Sequence, residues 1–267
     1  MKGPRFRTTL SLFVVLAASV IGVASPAHAS TTLTVSGAAV CNSGRAVEGV
    51  WVTSTGGGAG WAGWTPMPGR PNVAWYSRTL TISTSSTAVS LHIGCGGSTS
   101  QWASSSYTPS YTRSSSLVLN MWCNDPTSGT GSSCSGGSRP SGRSTNWFSA
   151  GYCTWGAAEL WRKATGTYPS WSGNAKDWAS NAGALGFRVS TVPLPRSVLV
   201  EPAYVGTNSA LGHVAWVTRA WVSSGIVYFH VREMNASAGF NAWDDRDVRY
   251  DSRFRFIVAP PGSPVTS

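Results

Sequence analysis

The sequence predicts an exported chain of two domains, an all-β sandwich-like unit followed by a unit that mixes helix with strand. Three observations predict it. Between residues 30 and 122 only Arg45, Glu48, Arg70, Arg78 and Arg113 are charged, whereas charge density rises and helical spacing first appears from residue 144 onward. The stretch between them, NDPTSGTGSSCSGGSRPSGR, is nearly all Ser, Gly, Thr, Pro and charge, the composition of a flexible linker. The chain opens on basic residues Lys2, Arg5 and Arg7, an apolar run over 10–24 and the small-x-small site Ala27-His28-Ala29. That order is a signal peptide, and the apolar run is shorter than a membrane span needs. The expected organisation is therefore 1–29 signal peptide, 30–122 sandwich-like domain, 123–143 linker, 144–260 second domain and 261–267 tail.

In the first domain, short β-branched or alternating runs recur between turn signals: TTLTV at 31–35, VWVT at 50–53, VAWY at 73–76, TLTIST at 79–84, VSLHI at 89–93 and LVLNMW at 117–122. Their spacing favours a small antiparallel sandwich. Trp61, Trp64, Trp75, Trp102 and Trp122 are first of all core residues for such a sandwich. Trp61 and Trp64 lie in the Gly-rich loop GGGAGWAGW and are the two candidates for contact with a polysaccharide wall.

The whole chain carries a formal charge of +10, and removing the leader leaves it basic. A basic exported protein suits an anionic surface such as the phosphate polymers of a bacterial wall. Its Lys and Arg are scattered, without the stripe or reading motif that a nucleic-acid partner demands.

Five cysteines remain to be sorted. Cys41, Cys95, Cys123 and Cys134 precede the second domain, and four cysteines allow three pairings. Cys41 with Cys95 and Cys123 with Cys134 are favoured, which leaves Cys153 alone. After Gly151 the residues Ala157, Ala158, Leu160, Trp161 and Ala164 recur at helical spacing, so Cys153 falls at a helix N-terminus. Free backbone N–H groups and the positive end of the helix dipole there favour a thiolate, the nucleophilic form of cysteine.

A cysteine nucleophile acting on an amide needs a proton carrier. Outside the leader the histidines are His92, His213 and His230. His92 lies beyond the linker, and His230 has opposite parity to Val227, Phe229 and Val231. His213 opens HVAWVTRAW directly after Gly212, where a small residue would let a substrate backbone approach. Residues 213–221 and 226–235 read as two strands joined by the three-residue loop Ser223-Ser224-Gly225. That register sets His213 opposite Asn235, with Glu233 two residues along the same face. The same face carries Ala215, Val217, Val227, Phe229 and Val231, and is expected to pack on the helix that bears Cys153.

These motifs, GYCTWGAAELW around Cys153, GNAKDWASNAGALGF at 173–187, PLPRSVLV at 193–200, GHVAWV at 212–217 and VREMNA at 231–236, together resemble the CHAP domain, a family of cysteine- and histidine-dependent amidohydrolases and peptidases. The resemblance covers about residues 144–260. It implies a papain-like α+β fold and hydrolysis of a peptidoglycan amide bond. It also implies Cys153 as nucleophile, His213 as general base and acid, and Glu233 with Asn235 as the groups that orient the imidazole. Many members have Gln where this chain has Tyr152 before the cysteine, and a Gly where it has Ser197. Phage-derived members that bind calcium carry paired aspartates upstream of the cysteine. Here no acidic residue lies between Asp125 and Glu159, so no such site is expected.

No HExxH or CxxC ladder points to zinc, and no cofactor is expected. The acidic run Asp244, Asp245, Asp247 and Asp251 is interleaved with Arg246, Arg249, Arg253 and Arg255 and reads as a salt-bridged surface segment. The resulting expectation is a secreted, monomeric wall hydrolase with peptidoglycan as partner and neither nucleic acid nor membrane. Its scissile bond would be selected by loops such as 201–211. The alternative from another class is a non-catalytic wall-binding or toxin-like secreted protein on the same fold.

Overall fold

The structure, a computed structural model, describes residues 30–126, 129–138, 140–207 and 209–265; the segment read as a signal peptide lies outside them. The molecule is mostly β-sheet with few helices. Its first part holds strands β1 (Thr31–Cys41), β2 (Val47–Ser54), β3 (Gly60–Trp61), β4 (Gly63–Met67), β5 (Arg70–Ile82) and β6 (Thr87–Gly97). β7 (Trp102–Tyr107), β8 (Tyr111–Arg113), β9 (Leu117–Val118), β10 (Met121–Cys123) and β11 (Gly129–Ser135) follow. Residues at every second position, such as Leu33 and Val35 of β1 and Val89, Leu91 and Ile93 of β6, enter one buried core.

The all-β expectation for this part holds, but two separate antiparallel sheets do not form. The strands join in one eleven-stranded sheet, ordered β3-β2-β6-β7-β11-β10-β1-β5-β4 with β8 on β6 and β9 on β1, nearly closed around that core. It is mixed: β1 runs parallel to β9 and β10, and β11 runs parallel to β7. The strand that joins the halves is β11, which pairs with β7 on one side and β10 on the other. It lies within the segment expected as a linker. Its residues, GTGSSCS, offer no apolar alternation to read, yet a strand flanked on both sides is held by backbone hydrogen bonds. Disulfides Cys41–Cys95 and Cys123–Cys134 tie β1 to β6 and β10 to β11, each contributing about 2–4 kcal/mol.

The second part begins with α1 (Cys153–Thr165), then a short 3-10 turn at Ala175–Asp177 and α2 (Trp178–Ala184). Strands β12 (Val189–Ser190), β13 (Ser197–Glu201), β14 (His213–Ser223), β15 (Ile226–Met234), β16 (Trp243–Arg249) and β17 (Arg255–Val258) form an antiparallel sheet ordered β12-β17-β13-β14-β15-β16. Val198, Val200, Val214, Trp216 and Ile257 on one face pack against Ala157, Leu160 and Trp161 of α1 and Trp178 of α2. Leu199, Ala215, Val217, Phe229, Val231, Val248 and Phe256 on the other face pack on one another, which requires the sheet to curl. The cysteine-bearing helix thus lies on the Val214/Trp216 face, not on the Ala215/Val217/Phe229 face expected from sequence. The run HVAWV is buried on both faces, so parity alone could not choose between them.

The β14–β15 turn also differs from expectation. It has two residues, Ser224 and Gly225, both left-handed at φ 49° and 74°, and Ser223 opposes Ile226. This is the tight hairpin turn whose twist matches its strands. A bulge between Val217 and Arg219 then takes back the one-residue offset, so that Val217 opposes Val231 and Trp216 opposes Arg232.

The two parts are packed together. Ala38, Val40, Met67, Val73 and Trp75 of the first sheet share a buried cluster with Val192, Leu194, Val227 and Val258. Trp75 Nε1 donates to the Pro193 carbonyl at 2.9 Å, and Asn120 Nδ2 to the Pro195 carbonyl at 2.6 Å.

Candidate active site

α1 begins at Cys153, and its first intrahelical bond runs from the Gly156 N–H to the Tyr152 carbonyl at 3.1 Å. The N–H groups of Cys153, Thr154 and Trp155 therefore stand outside the helical ladder. Tyr152 supplies no side-chain cap, and the first turn holds no acidic residue to neutralise the dipole. Gly156 is fixed by packing, because a Cβ there would strike the Met234 side chain of β15. That close approach brings the helix start to the end of the sheet where β14 begins and β15 finishes.

His213, the first residue of β14, opposes Glu201 of β13 in the ladder. Its Nε2 lies 2.9 Å from Glu233 Oε2, with both side chains buried. The Glu233 carboxylate in turn accepts from Arg246 Nε at 2.7 Å, while Arg246 Nη2 donates to Glu201 Oε1 at 2.8 Å. Two buried carboxylates thus share one guanidinium, and one further positive charge balances the cluster. The imidazole supplies it. Burial by itself would lower the His213 pKa, but its interactions with Cys153 and with the Glu233 carboxylate that accepts from it overcome burial and raise it to about 9. For Glu233 burial opposes ionisation, yet His213 and Arg246 hold its carboxyl below the ordinary value.

Cys153, His213, Glu233 and Asn235 all line one cleft of about 960 Å³, together with Tyr152 and Arg246. Cys153 is half-buried and is the free cysteine among the described residues. Beyond the bulge β14 and β15 keep the expected register, which runs toward His213 and Asn235, but the paired ladder stops at Trp216 and Arg232 and β15 ends at Met234. Asn235 follows in the left-handed conformation at φ 56° and gives its N–H to the Ala242 carbonyl at 3.1 Å. Gly212 lines the same cleft, and a Cβ there would collide with the Glu201 carbonyl and the Lys176 backbone.

Sequence reasoning missed Glu201 and Arg246. Glu201 closes the apolar run SVLV at a position whose parity matches His213, which was a usable signal. Arg246 was hidden inside a run read as surface. Its neighbours do form surface pairs: Asp245 with Arg232, Asp247 with His230 and Asp251 with Arg253, each at 2.6 Å. Glu201 Oε2 also accepts the Thr207 N–H at 2.8 Å, so the ion cluster anchors Gly206 and Thr207 where they line the cleft.

The two wall-contact candidates part company. Trp64 packs against the first core. Trp61 is 49% exposed and lies edge-on to Trp51 and Trp102 on the outside of the sheet.

The CHAP domain family model matches residues 143–235. A Streptococcus mutans protein named as a hydrolase is 39% identical over 74 residues, 27% of this chain and 30% of that protein. A Staphylococcus aureus protein named as an autolysin is 32% identical over 142 residues, 53% of this chain and 45% of that one. The chain thus spans less than half the length of these curated relatives. A crystal structure of an N-acetylmuramoyl-L-alanine amidase from Staphylococcus aureus overlaps 43% of this chain and 34% of its own at 20% identity, with a TM-score of 0.36.

Proposed function

We propose that the protein is an exported peptidoglycan hydrolase whose CHAP domain, a papain-like α+β unit over residues 144–260, cuts an amide bond by cysteine chemistry. The observation that carries this reading is the thiol, imidazole and carboxylate meeting in one cleft, with His213 bonded to Glu233 at 2.9 Å. The family match over 143–235 and the relatives named hydrolase and autolysin support the substrate class. The disulfides agree with an oxidising compartment.

In this mechanism the Cys153 thiolate attacks the amide carbonyl carbon while the His213 imidazolium waits beside it. The negative charge developing on the carbonyl oxygen is met by N–H groups at the uncapped start of α1. The C–N bond breaks as His213 gives its proton to the departing amine, leaving a thioester on Cys153. Neutral His213 then takes a proton from water, the hydroxide adds to the thioester, and the carboxylic product leaves as the thiolate returns. Glu233 fixes the ring and favours its charged form, and Arg246 holds Glu233.

Mass spectrometry of fragments released from purified sacculi identifies the bond, whether between muramic acid and L-alanine, in the stem or in a cross-bridge. Cys153→Ser should release none while keeping the parent's melting temperature. Undiminished release by that variant overturns the cysteine mechanism.

A further inference from the structure

The outer face of the first sheet carries aromatic rings in register across four neighbouring strands. Trp61 of β3 opposes Trp51 of β2, Trp51 opposes His92 of β6, and His92 opposes Tyr107 of β7. At about 4.8 Å per strand this row spans about 14 Å. Trp102 lies against it, with ring centroids 5.5 Å from Trp61 and 4.9 Å from His92. The His92 ring stacks on Tyr107 at 4.2 Å. Two glycines make room for this arrangement: a Cβ at Gly94 or Gly49 would run into the Trp102 indole, so that ring lies down on bare backbone. Trp51, Trp61, His92 and Trp102 frame a cavity of about 420 Å³ edged by Thr99, Ser100 and Ser105.

Cross-strand aromatic pairs stabilise a sheet by themselves, but two features are left unexplained by that role. Trp102 Nε1 and His92 Nε2 are buried, and neither has a hydrogen-bond partner. A buried donor without an acceptor costs about 1–3 kcal/mol; Trp171 Nε1, Arg188 Nε and Trp216 Nε1 also lack partners, but His92 and Trp102 are the pair whose rings touch and line a common cavity. Trp61 and Tyr107 also remain about half exposed, at 49% and 52%. Among the described residues that line the cavity none is Asp, Glu, Lys or Arg. Burial lowers the His92 pKa, so its ring is neutral at neutral pH.

We infer that this outer-face aromatic row is a binding site for an uncharged saccharide chain, separate from the catalytic cleft. Flat rings match the apolar C–H faces of pyranoses, the Ser and Thr rim supplies the polar edge, and the indole N–H and imidazole nitrogen, closed to water in the free site, become partners for sugar hydroxyl or acetamide groups when the rings shift to admit them. A neutral lining selects the sugar backbone of a wall over its phosphate polymers. The identification of that sugar with the glycan of peptidoglycan rests on the hydrolase reading; the saccharide site does not.

The test uses the full chain and soluble N-acetylglucosamine oligomers, which contain no peptide bond to cut. Titration followed by tryptophan fluorescence and calorimetry should give saturable binding that increasing salt does not weaken. Trp61→Ala should weaken it about tenfold. His92→Phe keeps a ring on Tyr107 and removes the nitrogen, and should weaken it several-fold; both variants should melt like the parent. No binding by the parent, undiminished binding by both variants, or displacement by a polyphosphate in preference to sugar overturns the inference. Cys153→Ala must bind the oligomers like the parent, so failure of the cysteine mechanism shows up separately as retained hydrolysis in that variant.

Discussion

The corner of the second sheet and the outer face of the first both bury polar atoms, and they treat them in opposite ways. At the corner His213, Glu233, Arg246 and Glu201 satisfy one another in a network of alternating charge. On the outer face His92 Nε2 and Trp102 Nε1 are buried among neutral rings with nothing to bond. A closed network fixes geometry and protonation before any substrate arrives, which is what proton transfer needs. An open pair of polar atoms is completed only by a guest, which is what recognition needs.

Removing the proposed nucleophile separates the two regions most sharply. Cys153→Ala should cut release of wall fragments by roughly a thousandfold or more and leave binding to purified sacculi intact in a sedimentation assay; loss of both together would mean that one site performs both tasks.

Arg246→Met attacks the network rather than the chemistry. It leaves two buried carboxylates without their cation, so a loss of about 3–5 kcal/mol in urea unfolding is expected, together with loss of turnover. Unchanged stability would mean that water already satisfies the pair.

Glu233→Gln and Asn235→Ala then distinguish the two candidate orienters. An amide at 233 still accepts from His213 but no longer favours its charge, so kcat/KM should fall about 10- to 100-fold, or about 1.4–2.7 kcal/mol. Asn235→Ala, lacking the contact that Glu233 makes with the ring, should lose less. The reverse order of losses would make Asn235 the third member.

The smallest effect is in pH. His213 has a folded pKa of about 9, above the ordinary 6.5. Its contribution to stability is thus fully present below pH 6.5 and is lost as pH rises through about 9. Melting temperature and turnover should both decline on that alkaline limb, and in Glu233→Gln the limb should move toward neutrality. Sugar binding on the outer face should be flat over the same range.

How much of this could be read from sequence depends on how far apart the interacting residues are. The start of α1 was legible in Gly151 and the spacing of Ala157, Leu160 and Trp161, and the β14–β15 hairpin in Ser223-Ser224-Gly225 between two apolar runs, one residue longer than the turn itself. The bulge beyond Val217 was not, since nothing in VTRA departs from strand composition. β11 stayed hidden because a Gly/Ser/Thr strand declares itself only through its neighbours. The same reason concealed the aromatic row: Trp51, Trp61, His92 and Tyr107 align only once β3, β2, β6 and β7 are set side by side. Arg246 was unreadable because its partners are 13 and 45 residues away in the chain.

The apolar cluster joining Val40, Val73 and Trp75 to Leu194, Val227 and Val258 bears on how a wall would be worked. A catalytic unit on a slack tether searches a sphere around its anchor and meets every bond within reach at a similar local concentration. A unit seated on its anchor through a packed joint acts as a ruler: gripping the polymer at one point sets which bonds can enter the cleft, and spacing along the polymer becomes part of what is selected.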